Sequence, residues 1–273
     1  MNYLKLSNNV KIPVIGFGTY FINIDDVEEA VYNALKVGYR HLDCAKWYNN
    51  EELVGSAIKR SGIKREELFI TTKVECADYS TTINNIYDSM NKMNTNYFDL
   101  VLIHWPEDNY LDTYRALEYL YKQGIIKSIG VSNFNSQLMD ILLDNCEIKP
   151  VINQIETHIY FQQKKMNDYL KEHNICHESW SCFAEGYLDL FIDKVIKKIS
   201  KKYKKTPAQI MLKFFVQKDI IVIPKSNNIE HMKENIDIFD FDLDDDSMKL
   251  IENLDKRKQY SGWPVCMNEE TYY

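Results

Sequence analysis

Four side chains in the first 104 residues could together hold and move a proton. Asp43 lies near the end of one apolar stretch, Tyr48 follows five residues later, and Lys73 and His104 end two further apolar runs. A buried ammonium is costly unless a carboxylate lies beside it, so we expect Lys73 and Asp43 to pair. A cation next to Tyr48 would lower the pKa of the phenol from ~10 toward working pH, as a general acid or base requires.

Short apolar runs alternate with amphipathic stretches along the whole chain. The run length and β-prone composition predict strands, and helix start and stop signals mark the stretches between them, such as Thr206 and Pro207 before "AQIMLKFFVQK". The predicted strands are residues 14–19, 39–45, 68–73, 98–104, 127–133, 151–156, 176–181 and 220–225.

Eight strands, each followed by a helix, predict an α/β fold with parallel pairing, a closed (β/α)8 TIM barrel. The segment "YLKLSNNVKIPVI" predicts a short N-terminal β-hairpin under the barrel floor. Because no Gly/Ser-rich or Pro-rich linker divides the chain, we expect residues 1–273 to form one domain. The barrel mouth would then carry the polar strand-end residues Thr19, Asp43, Lys73, His104, Asn133, Gln154, Trp180 or Ser181, and Lys225.

The composition excludes several classes of partner. A formal net charge of -7 argues against nucleic acid, and the basic run at 197–205 has the spacing of an amphipathic helix. No apolar run approaches the ~20 residues that cross a bilayer, so no membrane partner is expected. The six cysteines contain no CxxC pair and the first residues lack a signal-peptide core, which predicts a reduced, cytoplasmic protein.

Several motifs together resemble those of one enzyme family. "GYRHLDCAKWYNNEELVGSAIK", "LFITTK", "DLVLIHWP", "IGVSNF", "NQIE", "TPAQI" and "VIPKS" occur in an order similar to that of the aldo-keto reductases, from about Val10 to about Asp255. The resemblance implies reduction of aldehydes or ketones to alcohols by hydride transfer from NAD(P)H. It also implies that Tyr48 donates the proton, that Lys73, held by Asp43, tunes it, and that His104 orients the carbonyl.

The resemblance also implies a binding site for NADP(H). Ser132, Asn133 and Gln154 would contact the nicotinamide carboxamide, Trp180 would stack on its ring, and Ser181 would begin the loop over the pyrophosphate. The 2'-phosphate would meet Lys225 and Ser226, and the adenine Glu234 and Asn235. The remaining predicted cofactor contacts are Thr19, Tyr20, Asp43 and His231.

One departure from the family pattern concerns His231, which stands where an arginine commonly holds the 2'-phosphate. A guanidinium is always charged and can form two parallel bonds to phosphate, whereas an ordinary histidine, with a pKa near ~6.5, is mostly neutral at pH 7. NADPH preference should therefore be weaker, and use of NAD(H) is possible. On this hypothesis NADPH affinity falls as the imidazole loses its proton.

The predicted substrate is a small-molecule carbonyl. Tyr20, Trp47, Tyr48, His104 and Trp105 are the predicted substrate-binding residues, which would give an aromatic cleft, and Trp263 of the C-terminal tail is a further candidate. Barrels of this family are often monomers, so a monomer is expected by analogy.

Two other readings stay open on the sequence alone. His41, Asp43, His104 and His158 could ligate a metal for hydrolysis, although the family resemblance assigns Asp43 to Lys73 and predicts no metal. Alternatively, the barrel could be a non-catalytic NADP(H)-binding redox sensor or a regulator of a partner protein. A sensor does not need Tyr48. The non-catalytic reading is therefore disfavoured by the complete tetrad of acid-base residues, Asp43, Tyr48, Lys73 and His104.

Overall fold

The computed structural model describes residues 2–186 and 188–261. Its strands are β1 (Tyr3–Lys5), β2 (Lys11–Pro13), β3 (Phe17–Gly18), β4 (His41–Asp43), β5 (Phe69–Val74), β6 (Leu100–Ile103), β7 (Ile129–Ser132), β8 (Ile152–Glu156), β9 (Cys176–Trp180) and β10 (Ile221–Val222). Its α-helices are α1 (Val27–Val37), α2 (Glu51–Ser61), α3 (Tyr79–Met93), α4 (Tyr110–Lys122), α5 (Ser136–Asn145), α6 (Lys164–Glu172), α7 (Leu188–Ile192), α8 (Lys194–Tyr203), α9 (Pro207–Val216), α10 (Ile229–Ile236) and α11 (Asp245–Glu252).

Strands β3 to β10 form one parallel sheet in chain order. A parallel bridge between Ile15 and Val222 joins its two edges, and the Gly16 N–H donates to the Val222 carbonyl at 2.8 Å. The sheet therefore closes into a (β/α)8 TIM barrel, as predicted. Each of the eight predicted runs overlaps one of its strands, and only β5 extends beyond its run, by Val74.

The helices begin and end where the local sequence favours it. In α1 the buried positions recur three or four residues apart, and the helix stops at Gly38, whose φ of 121° suits a residue without a side chain. In α9 the Thr206 hydroxyl accepts from the Gln209 N–H, and Pro207 occupies the first turn. The helix predicted after Thr206 is therefore confirmed. Among the described residues, no helix is both long and apolar enough to cross a bilayer.

The predicted N-terminal hairpin is confirmed by antiparallel pairing of β1 with β2. Leu6 and Ile12 from this hairpin pack against Phe69, Leu100 and Ile221, which lie at or next to the first residues of their barrel strands. The Asn8 amide also donates to the Lys127 carbonyl at 3.0 Å. Hydrophobic burial thus covers the N-terminal end of the barrel.

The upper interior of the barrel is polar. Alternation along each strand sends Asp43 of β4, Lys73 of β5, Gln154 of β8 and Glu178 of β9 toward the same space. All four residues are at most 2% exposed. Buried charges need partners, and those partners define the site.

Candidate active site

Three of the four predicted acid-base residues form one connected group. The Lys73 ammonium lies 2.5 Å from the Asp43 carboxylate and donates at 3.1 Å to the Tyr48 hydroxyl. Its third contact is the Cys44 carbonyl at 3.3 Å. The predicted ion pair is therefore confirmed, and the phenol lies beside the cation.

The step from Asp43 to Tyr48 has a defined local structure. After β4 the chain is extended at Ala45 and then forms one 3-10 turn, Lys46–Tyr48. Asn49 ends the turn in the left-handed conformation, with a φ of 53°, which asparagine tolerates better than most residues. The Asn50 amide donates to the Thr19 carbonyl at 3.0 Å and so ties the loop to the first barrel strand.

The pKa of Tyr48 differs from the value expected from the sequence. Burial opposes the ammonium of Lys73, but the neighbouring Asp43 and Tyr48 outweigh it and raise the pKa of Lys73. Desolvation of the phenol outweighs the ammonium and raises the pKa of Tyr48 to about 12. The prediction of a lowered pKa for Tyr48 is therefore wrong: Lys73 limits the increase without reversing it. Tyr48 stays protonated at neutral pH, as a proton donor must.

His104 completes the predicted tetrad at the end of β6. Its backbone N–H donates to the Val74 backbone carbonyl at 2.8 Å, and its ring centre lies 5.7 Å from that of Tyr48. Burial lowers the pKa of His104, even though its Nδ1 lies 3.5 Å from Glu75. The imidazole is therefore neutral at pH 7 and can orient a carbonyl oxygen through a ring N–H.

The residues predicted for the nicotinamide form a second network next to the tetrad. The Ser132 hydroxyl donates to the Gln154 carbonyl at 2.7 Å, and the Asn133 amide donates to the His104 carbonyl at 3.1 Å. The Trp180 indole N–H donates to the Asn133 side-chain oxygen at 2.9 Å. Asn133 has a φ of 65°, so the backbone turns sharply at the end of β7. The structure thus brings all of these residues together.

Ser181 and Thr19 lie on the same rim. Ser181 has a φ of 55°, a strained value for a serine, and its buried hydroxyl has no hydrogen-bond partner among the described residues. An orphaned donor of this kind suits an incoming phosphate oxygen. The Thr19 hydroxyl instead donates to the Asp43 backbone carbonyl at 2.9 Å. This bond links the segment after β3 to the end of β4.

The residues predicted for the adenosine end lie along α10: Lys225 and Ser226 precede the helix, His231 is in its first turn, and Glu234 and Asn235 are in its last turn. Lys225 and His231 are exposed, and the Ser226 hydroxyl accepts from the Asn228 N–H at 3.0 Å. Glu234 is half-buried and Asn235 is buried within α10. Two cationic or protonatable side chains therefore flank a helix N-terminus, a favourable place for an anion.

Aromatic rings surround the tetrad at the mouth. The Tyr20 ring centre lies 4.9 Å from that of Tyr48 and 6.1 Å from that of Trp47. The His104 ring centre lies 6.4 Å from that of Trp47 and 6.5 Å from that of Trp105. The predicted aromatic wall is thus assembled, whereas Trp263 lies outside the described residues.

Sequence reasoning missed three carboxylates of the site. Glu75 lies beside His104, and Glu178 accepts from the Gln154 amide at 3.1 Å. Glu156, at the end of β8, accepts from the backbone N–H of Tyr260 at 2.8 Å and from that of Ser261 at 3.2 Å. The available signal was an acidic residue inside an apolar run, as in "CHESW" and "NQIE".

The structure does not assemble the alternative metal centre. His41 bonds to Thr71 at 3.0 Å, and His158 bonds to Glu156 at 3.2 Å. Across residues 2–186 and 188–261, no group of three His, Cys, Asp or Glu side chains is placed to hold a metal ion.

Comparison with known proteins agrees with this architecture. A model of the aldo/keto reductase family matches residues 14–256. Glyoxal reductase of Bacillus subtilis (strain 168) is 44% identical over 265 residues, covering 96% of this chain and 95% of that protein. Methylglyoxal reductase DkgA of Escherichia coli (strain K12) is 40% identical over 264 residues, covering 96% of each. An aldo-keto reductase of Bombyx mori, solved in complex with NADP, has a TM-score of 0.90 and 31% identity, covering 95% of this chain and 94% of that one.

The barrel and these similarities define an oxidoreductase that reduces carbonyl compounds with a nicotinamide cofactor. The chain belongs to the aldo-keto reductase family. The resemblance drawn from its motifs is confirmed, and no observation favours the non-catalytic alternative.

Proposed function

We propose that this enzyme reduces small 2-oxoaldehydes, such as glyoxal and methylglyoxal, and that Tyr48 gives the proton. The contact that carries the proposal is the 3.1 Å hydrogen bond from Lys73 to the Tyr48 hydroxyl, backed by the buried Asp43. The two relatives named glyoxal and methylglyoxal reductase support the substrate class. The aromatic wall of Tyr20, Trp47 and Trp105 would exclude water from the reacting carbonyl.

The proposed roles follow from where charge develops. A bound nicotinamide cofactor supplies the hydride to the carbonyl carbon. As negative charge grows on the carbonyl oxygen, Tyr48 gives that oxygen its proton and becomes a phenolate. Lys73, 3.1 Å away, stabilises this phenolate, and Asp43 keeps the ammonium charged in a buried position. The neutral imidazole of His104 donates to the oxygen and fixes its direction.

The proposed cofactor site uses the networks at the rim. Asn133, Gln154 and Ser132 would hold the carboxamide, and the half-buried ring of Trp180 would face the nicotinamide. The orphaned Ser181 hydroxyl fits a pyrophosphate oxygen, with Thr19 and Tyr20 closing the near side. The adenosine end would be held by Lys225, Ser226, His231, Glu234 and Asn235 around α10.

We also propose that the cofactor preference is relaxed. His231 is exposed at the start of α10, where it can offer the 2'-phosphate one bond instead of the bidentate grip of an arginine. The remaining preference for NADPH over NADH would then depend mainly on the charges of Lys225 and the helix N-terminus. We also propose that the enzyme is a monomer in the cytoplasm. The five cysteines of the described residues are all free, which is consistent with a reducing compartment.

Initial rates test the proposal. Glyoxal, methylglyoxal and propanal are each supplied with NADPH or NADH, and the loss of reduced-cofactor absorbance is followed. We expect higher kcat/KM for the two dicarbonyls, and a fall of about 10²- to 10⁴-fold in Tyr48→Phe. Tyr87→Phe, an exposed position on α3, should behave as wild type. Full activity in Tyr48→Phe would refute the proton-donor role, and propanal outperforming both dicarbonyls would refute the substrate class.

A further inference from the structure

A second carboxylate lies beneath the tetrad. Glu178 is the middle residue of β9 and is fully buried, with no exposed side-chain surface. Its Oε2 accepts from the Gln154 amide nitrogen at 3.1 Å, and its Oε1 has no hydrogen-bond partner among the described residues. A buried carboxylate oxygen without a donor is costly when the group is ionised.

The Gln154 amide joins Glu178 to the catalytic ion pair. The same nitrogen donates to Asp43 Oδ2 at 2.8 Å, while Asp43 Oδ1 pairs with Lys73. A side-chain amide nitrogen has two hydrogens, so one bond goes to each carboxylate. This arrangement fixes the amide with its nitrogen toward Asp43 and Glu178, and leaves its oxygen to accept from another donor.

The groups around Glu178 lie on four strands, and the charged ones among them lie on β4 and β5. His41 Nε2 of β4 lies 3.8 Å from Glu178 Oε1, but bonds to Thr71 instead, and Asp43 of the same strand adds a negative charge. Lys73 of β5 is the cation, and it is already paired with Asp43. Cys176 lies on β9 itself, and on β10 the residue in register with Glu178 is the uncharged Ile221. Glu178 therefore faces a carboxylate without a cation of its own.

We propose that Glu178 is a positioning residue that works as a neutral carboxylic acid: it orients the Gln154 amide, and its ionisation weakens the tetrad. The inference rests on the proposed roles of Tyr48 and Gln154. Glu178 accepts from the Gln154 amide nitrogen, so the amide oxygen stays available to accept from the N–H of a carboxamide. An ionised Glu178 adds a second negative charge beside Asp43. This charge offsets the Lys73 ammonium that stabilises the Tyr48 phenolate, so the phenol becomes a weaker acid.

The titration behaviour of the cluster agrees with the geometry. Burial, and secondly the charge of Asp43, raise the pKa of Glu178 to about 8. Desolvation raises the pKa of Tyr48 to about 12, and burial lowers the pKa of His41 to about 4. The pKa of His104 is also lowered by burial, so these three groups do not change charge between pH 7 and 9. A loss of activity over that interval that disappears in Glu178→Gln would come from Glu178.

The kinetic test compares pH profiles of kcat/KM for methylglyoxal reduction in wild type and Glu178→Gln. We expect wild-type kcat/KM to fall about tenfold between pH 7 and 9, and that of Glu178→Gln to stay within about twofold. Glu51→Gln is the matched control, because Glu51 is also a buried glutamate with a pKa raised by burial, but it bonds to Thr72 on the outer face of β5. It should keep the wild-type profile. The same fall in Glu178→Gln as in wild type would overturn the proposal.

An infrared titration separates this inference from the proposed function. The carbonyl band of a protonated carboxylic acid should be present in wild type at pH 6.5, disappear by pH 9.5, and be missing from the Glu178→Gln difference spectrum. A spectrum in which Glu178 is already ionised at pH 6.5 would overturn the inference even in an active enzyme. If the band is present at pH 6.5 and disappears by pH 9.5 in a protein that reduces no carbonyl, the result would count against the proposed function. It would still support a neutral Glu178. Should Glu178→Gln fail to fold, Glu178→Leu serves in both measurements.

Discussion

Replacing Lys73 by methionine isolates the contribution of the ammonium to proton transfer. At an effective dielectric constant of about 20, a full negative charge on Tyr48, 3.1 Å from Lys73, is stabilised by about 5 kcal/mol. A charge that is half developed in the transition state gains about half of this, and a loss of ~2.7 kcal/mol slows the reaction about hundredfold. We therefore expect kcat of Lys73→Met to fall about hundredfold, measured from initial rates with methylglyoxal and saturating NADPH.

The same change leaves Asp43 buried without its cation, which should also lower the free energy of unfolding by about 3–5 kcal/mol. The double variant Lys73→Met with Asp43→Asn separates the two effects, because it removes the unpaired charge and keeps an acceptor for Gln154. Urea denaturation should show most of the stability restored in the double variant, while kcat stays low. If kcat recovered together with stability, the loss in Lys73→Met would be structural and the electrostatic reasoning would be refuted.

Three further predictions follow from single contacts. His231→Arg should tighten NADPH binding about tenfold without changing NADH binding, as measured by fluorescence titration; equal gains for both cofactors would contradict a 2'-phosphate contact. Burial lowers the pKa of His41 to about 4. As the pH falls below 6.5, the unfolded chain therefore binds a proton at His41 before the folded chain does. The free energy of unfolding should fall by about 3 kcal/mol from pH 6.5 to pH 4. Urea titrations of wild type and His41→Asn would check this, since the variant should lose that part of the decrease. A Cβ on Gly55 would lie 2.7 Å from the Met93 carbonyl oxygen. Gly55→Ala should therefore lower the free energy of unfolding, measured by thermal unfolding, by about 1–3 kcal/mol. Ser56→Ala, at an exposed position of the same helix, should leave it unchanged.

Strand positions and the tetrad could be predicted from the sequence because both depend on local features. Each barrel strand is an apolar run, and Asp43, Lys73 and His104 lie where such runs end, so parallel pairing alone brings them to one mouth. The Lys73–Asp43 pair then followed from the cost of a buried charge.

What could not be predicted depends on packing across the barrel. Gln154 bonds to Asp43, 111 positions earlier, and to Glu178, 24 positions later, and no local pattern reports either contact. The direction of the Tyr48 pKa change was also beyond the sequence, since it depends on whether desolvation or the nearby ammonium is larger. Residue type identified the participants, but burial decided their protonation states.

The N-terminal hairpin has a practical consequence for handling the enzyme. Because β1 and β2 pack under the first residues of the barrel strands, Asn2 lies on the face opposite the catalytic mouth, where its carbonyl accepts from the Val14 N–H at 3.0 Å. A tether attached at that end would fix the enzyme to a bead or electrode with its mouth directed into the surrounding solution. An immobilised preparation linked in this way should consume substrate without obstruction from the support.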